Sequence, residues 1–547
     1  MRSGSWIFAG LVGTVLLTMA SPALAQHEHE GHELGTVAFE TSCAPTAQAR
    51  FNRATAWLHS FEYEEAEKSY LEAAEADPGC AMAHWGVAMS NYHPLWAPPT
   101  PGELAKGAAA VAKARAIGGK TSRERDYIAA AGAFYDQAGS PHLTRVLAYL
   151  DAMQALAGRY RRDREAGVFH ALALIAAGTT DADETYARER QAAAILNKVL
   201  AQEPNHPGVS HYLIHSFDYP ALADLALPAA RSYAGIAPAS AHAQHMPSHI
   251  FTRLGLWAEA IKSDRQAQAA AKAYAARHAL PGAWDEQLHA MDYLVYAHLQ
   301  LAQDDQAQGV LDELNGLKRV DPPNFKVAYA MSAIPARMAL ERRRWSQAAA
   351  LPLPSADRAG VAWSKFRWAQ AHIHFARAVG LARTGRVAEA ASEVAALDEI
   401  RKGLPARPGE YDWGGQVEIH RLVAAGWLAH ARGEREAALT LMTAAAEADD
   451  ATEKHPVTPG AILPAREQLG ELLLELKAPV EALAAYEASL RRAPRRLGGL
   501  LGAVRSAELA GSRAKVREYR AMLPVCGAGC ERPELDLSRA GPGRGPG

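Results

Sequence analysis

Apolar positions recur along this chain at helical spacing. The sequence is rich in alanine and has few runs in which Val, Ile and Thr alternate with polar residues, so strands are poorly supported and an all-α fold is expected. Within that pattern, large and small residues return in a fixed order. In "ARFNRATAWLHSFEYEEAEKSYLEAAEADP" the order is Trp57, Ala66, Tyr70, Ala73 and Pro78, and in "REQLGELLLELKAPVEALAAYEASLRRAP" it is Leu469, Gly470, Ala482, Tyr486 and Pro494. Small residues such as Ala66 and Ala482 let two antiparallel helices approach closely and large ones fill the gap, while Pro78 and Pro494 stop the second helix. One such pair cannot bury its own apolar face, so consecutive pairs must stack.

This spacing resembles the tetratricopeptide repeat. "GLWAEAIKSDRQA" (Gly255, Trp257, Ala260), "RWSQAAAL" (Trp345, Ala348), "TGRVAEAASEV" (Gly385, Ala390) and "RGEREAALTLM" (Gly433, Ala438) each look like the turn and second helix of a unit, so the resemblance covers most of residues 45–525. It implies a right-handed α-solenoid of stacked antiparallel helix pairs, with a concave surface that binds a protein or peptide. The expected organisation is repeat units over 45–93, a helical insertion over 94–170, repeat units over 171–274 and degenerate units over 275–525. Within the insertion, a Thr121-x-x-Glu124 capping box opens a helix. The neighbouring "GGKTS" only imitates a phosphate-binding loop, because Ala114 stands where that motif needs glycine.

The ends differ from the body. Residues 1–25 carry Arg2, an apolar run from about Trp6 to Met19 and the cleavage signal Ala23-Leu24-Ala25, which reads as a secretory signal peptide and an exported, periplasmic protein. No later stretch has the 18 or so uninterrupted apolar residues of a membrane span. Residues 26–44, containing "HEHEGHE", and 526–547, ending in "SRAGPGRGPG", read as tails. A net charge of -2 gives no electrostatic case for nucleic acid. Four cysteines in an oxidising compartment favour disulfides, with Cys43–Cys80 and Cys526–Cys530 the local pairing. The first would join the start and end of one helix hairpin and, by chain entropy, stabilise it by about 3–4 kcal/mol.

The candidate chemistry lies in histidine. Of 22 histidines, His206, His211, His215, His242, His245 and His249 crowd into one short stretch. Pro204 and Pro238, 34 residues apart, end successive units, which puts His211/His215 and His245/His249 at equivalent places in adjacent first helices. Pro207 and Pro247 favour a helix's first turn, leaving His211 and His215 inside a helix and His245 at the edge of the next. In tetratricopeptide units such places line the concave groove. His289, Asp292 and Tyr296 extend the stripe, and His372 and His420 open later helices in a similar way.

Three roles are open to it: lining a groove for a protein or peptide, binding zinc or copper through His211, His215, His245 and His249, or structural hydrogen bonding. Asp218 could ligate an ion or hold an imidazole tautomer. No HExxH, GxSxG or unpaired cysteine supports catalysis, so the expectation is a non-enzymatic scaffold with no certain cofactor; the alternative is metal binding, within which a metal-assisted hydrolase would use Asp218 or Asp292 as base.

Overall fold

A computed structural model describes residues 34–525, apart from 96, 138, 180–182, 184 and 356–358, together with Arg532 and Leu535. The expected signal peptide, "HEHEGHE" and the Cys526–Cys530 pair lie outside the described residues. The chain is an α-solenoid: from Pro45–His59 to Arg513–Arg520, helices pack on their successors as hairpins. Its one small sheet among the described residues pairs Ala283–Trp284 with Val320–Asp321.

The two motifs that define the repeat fold alike. In the first, helices Pro45–His59 and Tyr63–Ala76 bury Ala66, Tyr70 and Ala73; in the other, Ala465–Glu475 and Pro479–Arg492 bury Leu469, Ala482 and Tyr486. Each tyrosine ring then lies against a glycine of the following helix. A Cβ at Gly86 would sit 2.3 Å from the Tyr70 ring, and one at Gly502 would sit 2.1 Å from the Tyr486 ring. In both cases the glycine follows its tyrosine by 16 residues, so the close approach belongs to the repeat itself.

Residues 94–170 were expected to interrupt the stack. Instead Pro101–Ile117, Ser122–Tyr135, His142–Arg159 and Arg164–Gly178 pack in succession and continue it. The repeat signal is blurred there because the packing uses other large residues, Tyr127, Tyr149 and Phe169, at unfamiliar places. The capping box forms as expected: Glu124 N donates to Thr121 Oγ1, and Thr121 N to Glu124 Oε2, both at 3.1 Å.

Parts of the expected tails are also built in. Phe39 is fully buried edge-on against Phe51 and Trp85, and Thr36 N donates to Asn205 O at 2.9 Å, so residues 34–44 strap the first hairpin to a helix far along the chain. A single buried aromatic leaves no periodicity to read. Cys43 and Cys80 lie with Cα atoms 4.9 Å apart and sulfurs at bonding distance. At the other end the Arg532 guanidinium donates to both Asp304 oxygens and to Glu341 O.

The superhelix closes on itself. Arg496, near the end of the array, is fully buried and donates to Glu467, to Glu341 at 2.7 Å and to the Tyr296 hydroxyl at 2.9 Å. Trp257 Nε1 donates to Arg495 O at 3.0 Å, and Gln300 Oε1 accepts from Leu497 N at 2.9 Å. What an open solenoid presents as a concave surface is here largely interior.

Gly86→Ala should therefore destabilise the fold by about 1–3 kcal/mol through overpacking against Tyr70. Gly309→Ala, in a helix where an added Cβ meets nothing within 4 Å, should stabilise it by roughly 0.5–1 kcal/mol. Urea midpoints measure both, and equal shifts for the two would contradict the repeat packing.

Candidate metal centre

Helix Pro207–Phe217 starts with Pro207 in its first turn, and the His206 ring caps it by accepting from Val209 N at 3.3 Å. His211 and His215 follow one turn apart. In the next unit Ser240 caps a short helix, Ala241–His245, and Pro247 starts another, Pro247–Arg253. The chain thus breaks between His245 and His249, as the proline predicts, yet both remain helical and on the same side. His289 comes from helix Asp285–Gln300.

These residues form two buried triads, His211/His215/His242 and His245/His249/His289, each with one ring nitrogen per histidine within 4.8 Å of the others. In the first, His211 Nε2 lies 3.1 Å from His215 Nε2 and 3.2 Å from His242 Nε2. In the second, His245 Nε2 lies 3.0 Å from His249 Nε2, and the His289 ring centroid is 4.1 Å from that of His245. The triads adjoin, with the His215 and His249 centroids 6.2 Å apart. All six histidines are between 0 and 6% exposed. A protein or peptide lying in a groove would not meet them, because closure of the superhelix has covered the face they occupy.

The opposite ring nitrogens are held. His211 Nδ1 donates to His59 O at 2.6 Å, His249 Nδ1 donates to Asp218 Oδ2 at 3.0 Å, and His245 Nδ1 lies 2.6 Å from Asp264 Oδ1. Asp218 is thus an orienting group for His249 and also accepts from Arg253 at 2.8 Å and Lys454 at 2.9 Å. Burial pushes its carboxyl up, but Lys454 and Arg253 outweigh burial and hold it well below the usual carboxylate range. Asp292 and Tyr296, expected in the same stripe, are engaged elsewhere: Asp292 accepts from Arg337 and Tyr296 from Arg496.

Proton bookkeeping separates the clusters. A carbonyl can only accept, so His211 carries its proton on Nδ1 and presents a single lone pair at Nε2. That lone pair faces two imidazole nitrogens, of which only one can donate to it. Burial lowers the pKa of His211 and His215, and their imidazole neighbours lower it further, so neither protonates to relieve the contact. The second triad can close as a chain if Asp264 keeps its proton, and burial does push that carboxyl well above its usual range. The chain runs from Asp264 through His245 to the bare Nε2 of His249.

A third group, His59/Glu165/His206, is a useful contrast. Both imidazoles donate through Nε2 to Glu165 at 3.0 Å, the Tyr212 hydroxyl lies 2.9 Å from His59 Nδ1, and His206 Nδ1 accepts from Val209. Every proton there has a place. That cluster instead positions the His59 carbonyl beneath His211.

The histidine stripe was readable from sequence; its supports were not. Asp264 and His59 from other helices and Lys454 from the segment after helix Arg435–Asp450 reach the triads across separations that no spacing rule registers. The triads are not sealed, since His215 and Asp218 line the inner end of a pocket of about 560 Å³.

No protein-family model matches the chain, and no curated protein matches it. Among solved structures it is similar to yeast Tom70, at 13% identity and a TM-score of 0.35 over 87% of this chain and 98% of that one. It is also similar to a human IFIT1 dimer with m7Gppp-AAAA, at 14% identity and a TM-score of 0.37 over 91% and 98%. A third is the P58(IPK) TPR domain, at 10% identity and a TM-score of 0.20 over 85% and 98%. Such scores carry no functional argument, and the helical-repeat architecture rests on the packing described above.

Burial lowers the pKa of His211, His215, His245 and His289 well below the ordinary 6.5 and that of His249 to about 4. The unfolded chain therefore takes up protons first. Stability of chelator-treated protein should be fully present above pH 6.5 and fall as pH drops toward 4, by about 1.4 kcal/mol per group for each pH unit. Thermal melts from pH 7.5 to 4.5 test this, and a flat profile between 6.5 and 5 would contradict neutral buried imidazoles.

Proposed function

We propose that this chain is a metal-binding helical-repeat protein whose two histidine triads each take one copper or zinc ion. The observation that carries the reading is the lone pair of His211 Nε2, met by two further ring nitrogens at 3.1 and 3.2 Å in a fully buried site. A cation at the centre of the triad converts that repulsion into three bonds. With metal–nitrogen distances of about 2.0–2.1 Å, nitrogens arranged tetrahedrally around an ion lie about 3.3 Å apart, close to the spacing present here. Imidazole suits copper and zinc, and nitrogen ligands whose far side donates to a carbonyl or carboxylate are the usual arrangement around such ions.

The remaining parts fit the same reading. His59 O, Asp218 and, once ionised, Asp264 fix the tautomers that direct lone pairs inward. An ion entering the second triad displaces the proton shared along the Asp264–His245–His249 chain, so loading there releases a proton. The pocket ending at His215 provides a way in from solvent. Three imidazoles leave a further coordination position at each ion, which a small molecule can occupy. The expected Cys43–Cys80 disulfide belongs with this reading, because it staples the hairpin whose His59 carbonyl holds His211.

Protein purified without a histidine tag and analysed for metal should carry up to two copper or zinc ions per chain. His211→Ala and His245→Ala should each lose about one. Metal-free protein titrated with Cu(I) or Zn(II) should gain about 2.7 kcal/mol of stability at a hundredfold excess over the dissociation constant. Neither ion raising the melting temperature of the metal-free protein would overturn the reading.

A further inference from the structure

Beyond the triads, helices Phe325–Leu340, Arg367–Arg383 and Trp413–Ala431 and the segment over 449–464 surround a cavity of about 120 Å³. One side of its lining is ring-bearing, with Tyr329, His372, Tyr411, Trp413, His420 and His455, and the rest includes charged side chains, Asp449, Asp450, Arg466 and Arg492 among them. The Trp413 indole is braced by Trp368, with ring centroids 3.7 Å apart and planes 10° from parallel. His372 and His420 lie side by side with centroids 5.6 Å apart, and His420 is stacked on Phe375 at 4.5 Å.

The two histidines are poorly served by the protein. His372 uses Nδ1 with the Ser332 hydroxyl at 3.0 Å, leaving Nε2 without a partner among the described residues. His420 is 6% exposed, its Nδ1 is buried with no hydrogen-bond partner, and its Nε2 has none among the described residues either. A phenylalanine at this place would stack on Phe375 equally well and leave no polar atom unsatisfied. Burial lowers the pKa of both histidines, that of His420 to about 4, so each is a neutral imidazole able to donate from one nitrogen and accept at the other.

Size and lining define what fits. A roughly 150 Å³ cavity holds one benzene, so about 120 Å³ limits the guest to a single ring, and the mixed lining suits a ring that carries a polar group. Flat aromatic walls favour a planar guest over a saturated one. Imidazole nitrogens without partners reward a guest with a hydroxyl.

We propose that this cavity, ringed by Tyr329, Trp413, His372 and His420, is a binding site for a single-ring phenol. The hydroxyl bonds to the paired imidazoles and the ring lies among Tyr329, Trp413 and His455. Tyr329, His372, Trp413 and His420 come from helices that carry no triad histidine, so the site does not depend on a metal being bound there. Its rim nevertheless includes Arg253 and Lys454, the two cations that hold Asp218 against His249.

The probes are phenol, benzene and cyclohexanol, titrated into the full chain with chelator present and followed by calorimetry and tryptophan fluorescence. Phenol should bind saturably at one site and at least tenfold more tightly than cyclohexanol. His420→Phe keeps the ring shape and removes a buried unsatisfied nitrogen, so it should fold normally; it should weaken phenol at least fivefold while leaving benzene unchanged. Trp413→Leu should weaken both. A crystal soaked in phenol supplies a measurement independent of either variant and should show the ring against Trp413. Absence of saturable phenol binding, equal binding of cyclohexanol, an unchanged phenol affinity in His420→Phe or density elsewhere would each overturn the proposal. Because chelator is present throughout, failure here is separate from failure of the triads to bind metal.

Discussion

Closure of the superhelix is the constraint on which the rest depends. A solenoid of helix hairpins needs only neighbour contacts to stand, and its concave surface can remain polar because water satisfies it. Here the early helices meet the helix at 207–217 through His59 and Tyr212, and the last units return to the middle of the chain through Arg496 and Leu497. The concave face becomes interior, and each polar group on it must find a partner inside the protein or carry the full desolvation cost.

Most of that interior meets the demand with charge. Arg496 is held between Glu341 and Glu467, Arg337 by Asp292, and Lys326 by Asp285 and Glu286. Removing one partner of such a pair costs about 3–5 kcal/mol, so these contacts lock the register between distant units. Glu165 works similarly with two imidazoles, which together outweigh the effect of burial and keep it ionised. Against this background the first histidine triad stands apart. Its members are as deeply buried and as well oriented as any ion pair here, yet no assignment of protons gives each contact a donor and an acceptor.

The repeat and the histidine stripe were legible because both are periodic. Tyr70 and Tyr486, Ala66 and Ala482, and the 34-residue interval between Pro204 and Pro238 repeat at separations that one helix hairpin dictates. The placement of His211/His215 against His245/His249 followed from that interval, and the helix start at Pro247 followed from proline's missing N–H. What escaped was everything set by closure. A sequence pattern shows that a face is polar and says nothing of whether a distant unit will cover it, so a buried interior read as a groove. Phe39 packs against rings from several early helices, and Arg496 meets Tyr296 and Glu341 from far along the chain; such contacts carry no period.

The two triads also differ in what stands behind them, and this bears on the ions they suit. Six neutral imidazoles supply no charge, so compensation must come from the next layer out. Behind the first triad that layer is a backbone carbonyl, His59 O, at His211 and the Glu286 carboxylate, 3.9 Å from Nδ1 of His242; behind the second it is Asp218 and Asp264. Carboxylate-backed imidazoles are more basic and bring negative charge within reach of the ion, which favours a divalent cation. Both triads therefore have a carboxylate in the next layer, one at the first and two at the second, and their rings lie 6.2 Å apart at His215 and His249.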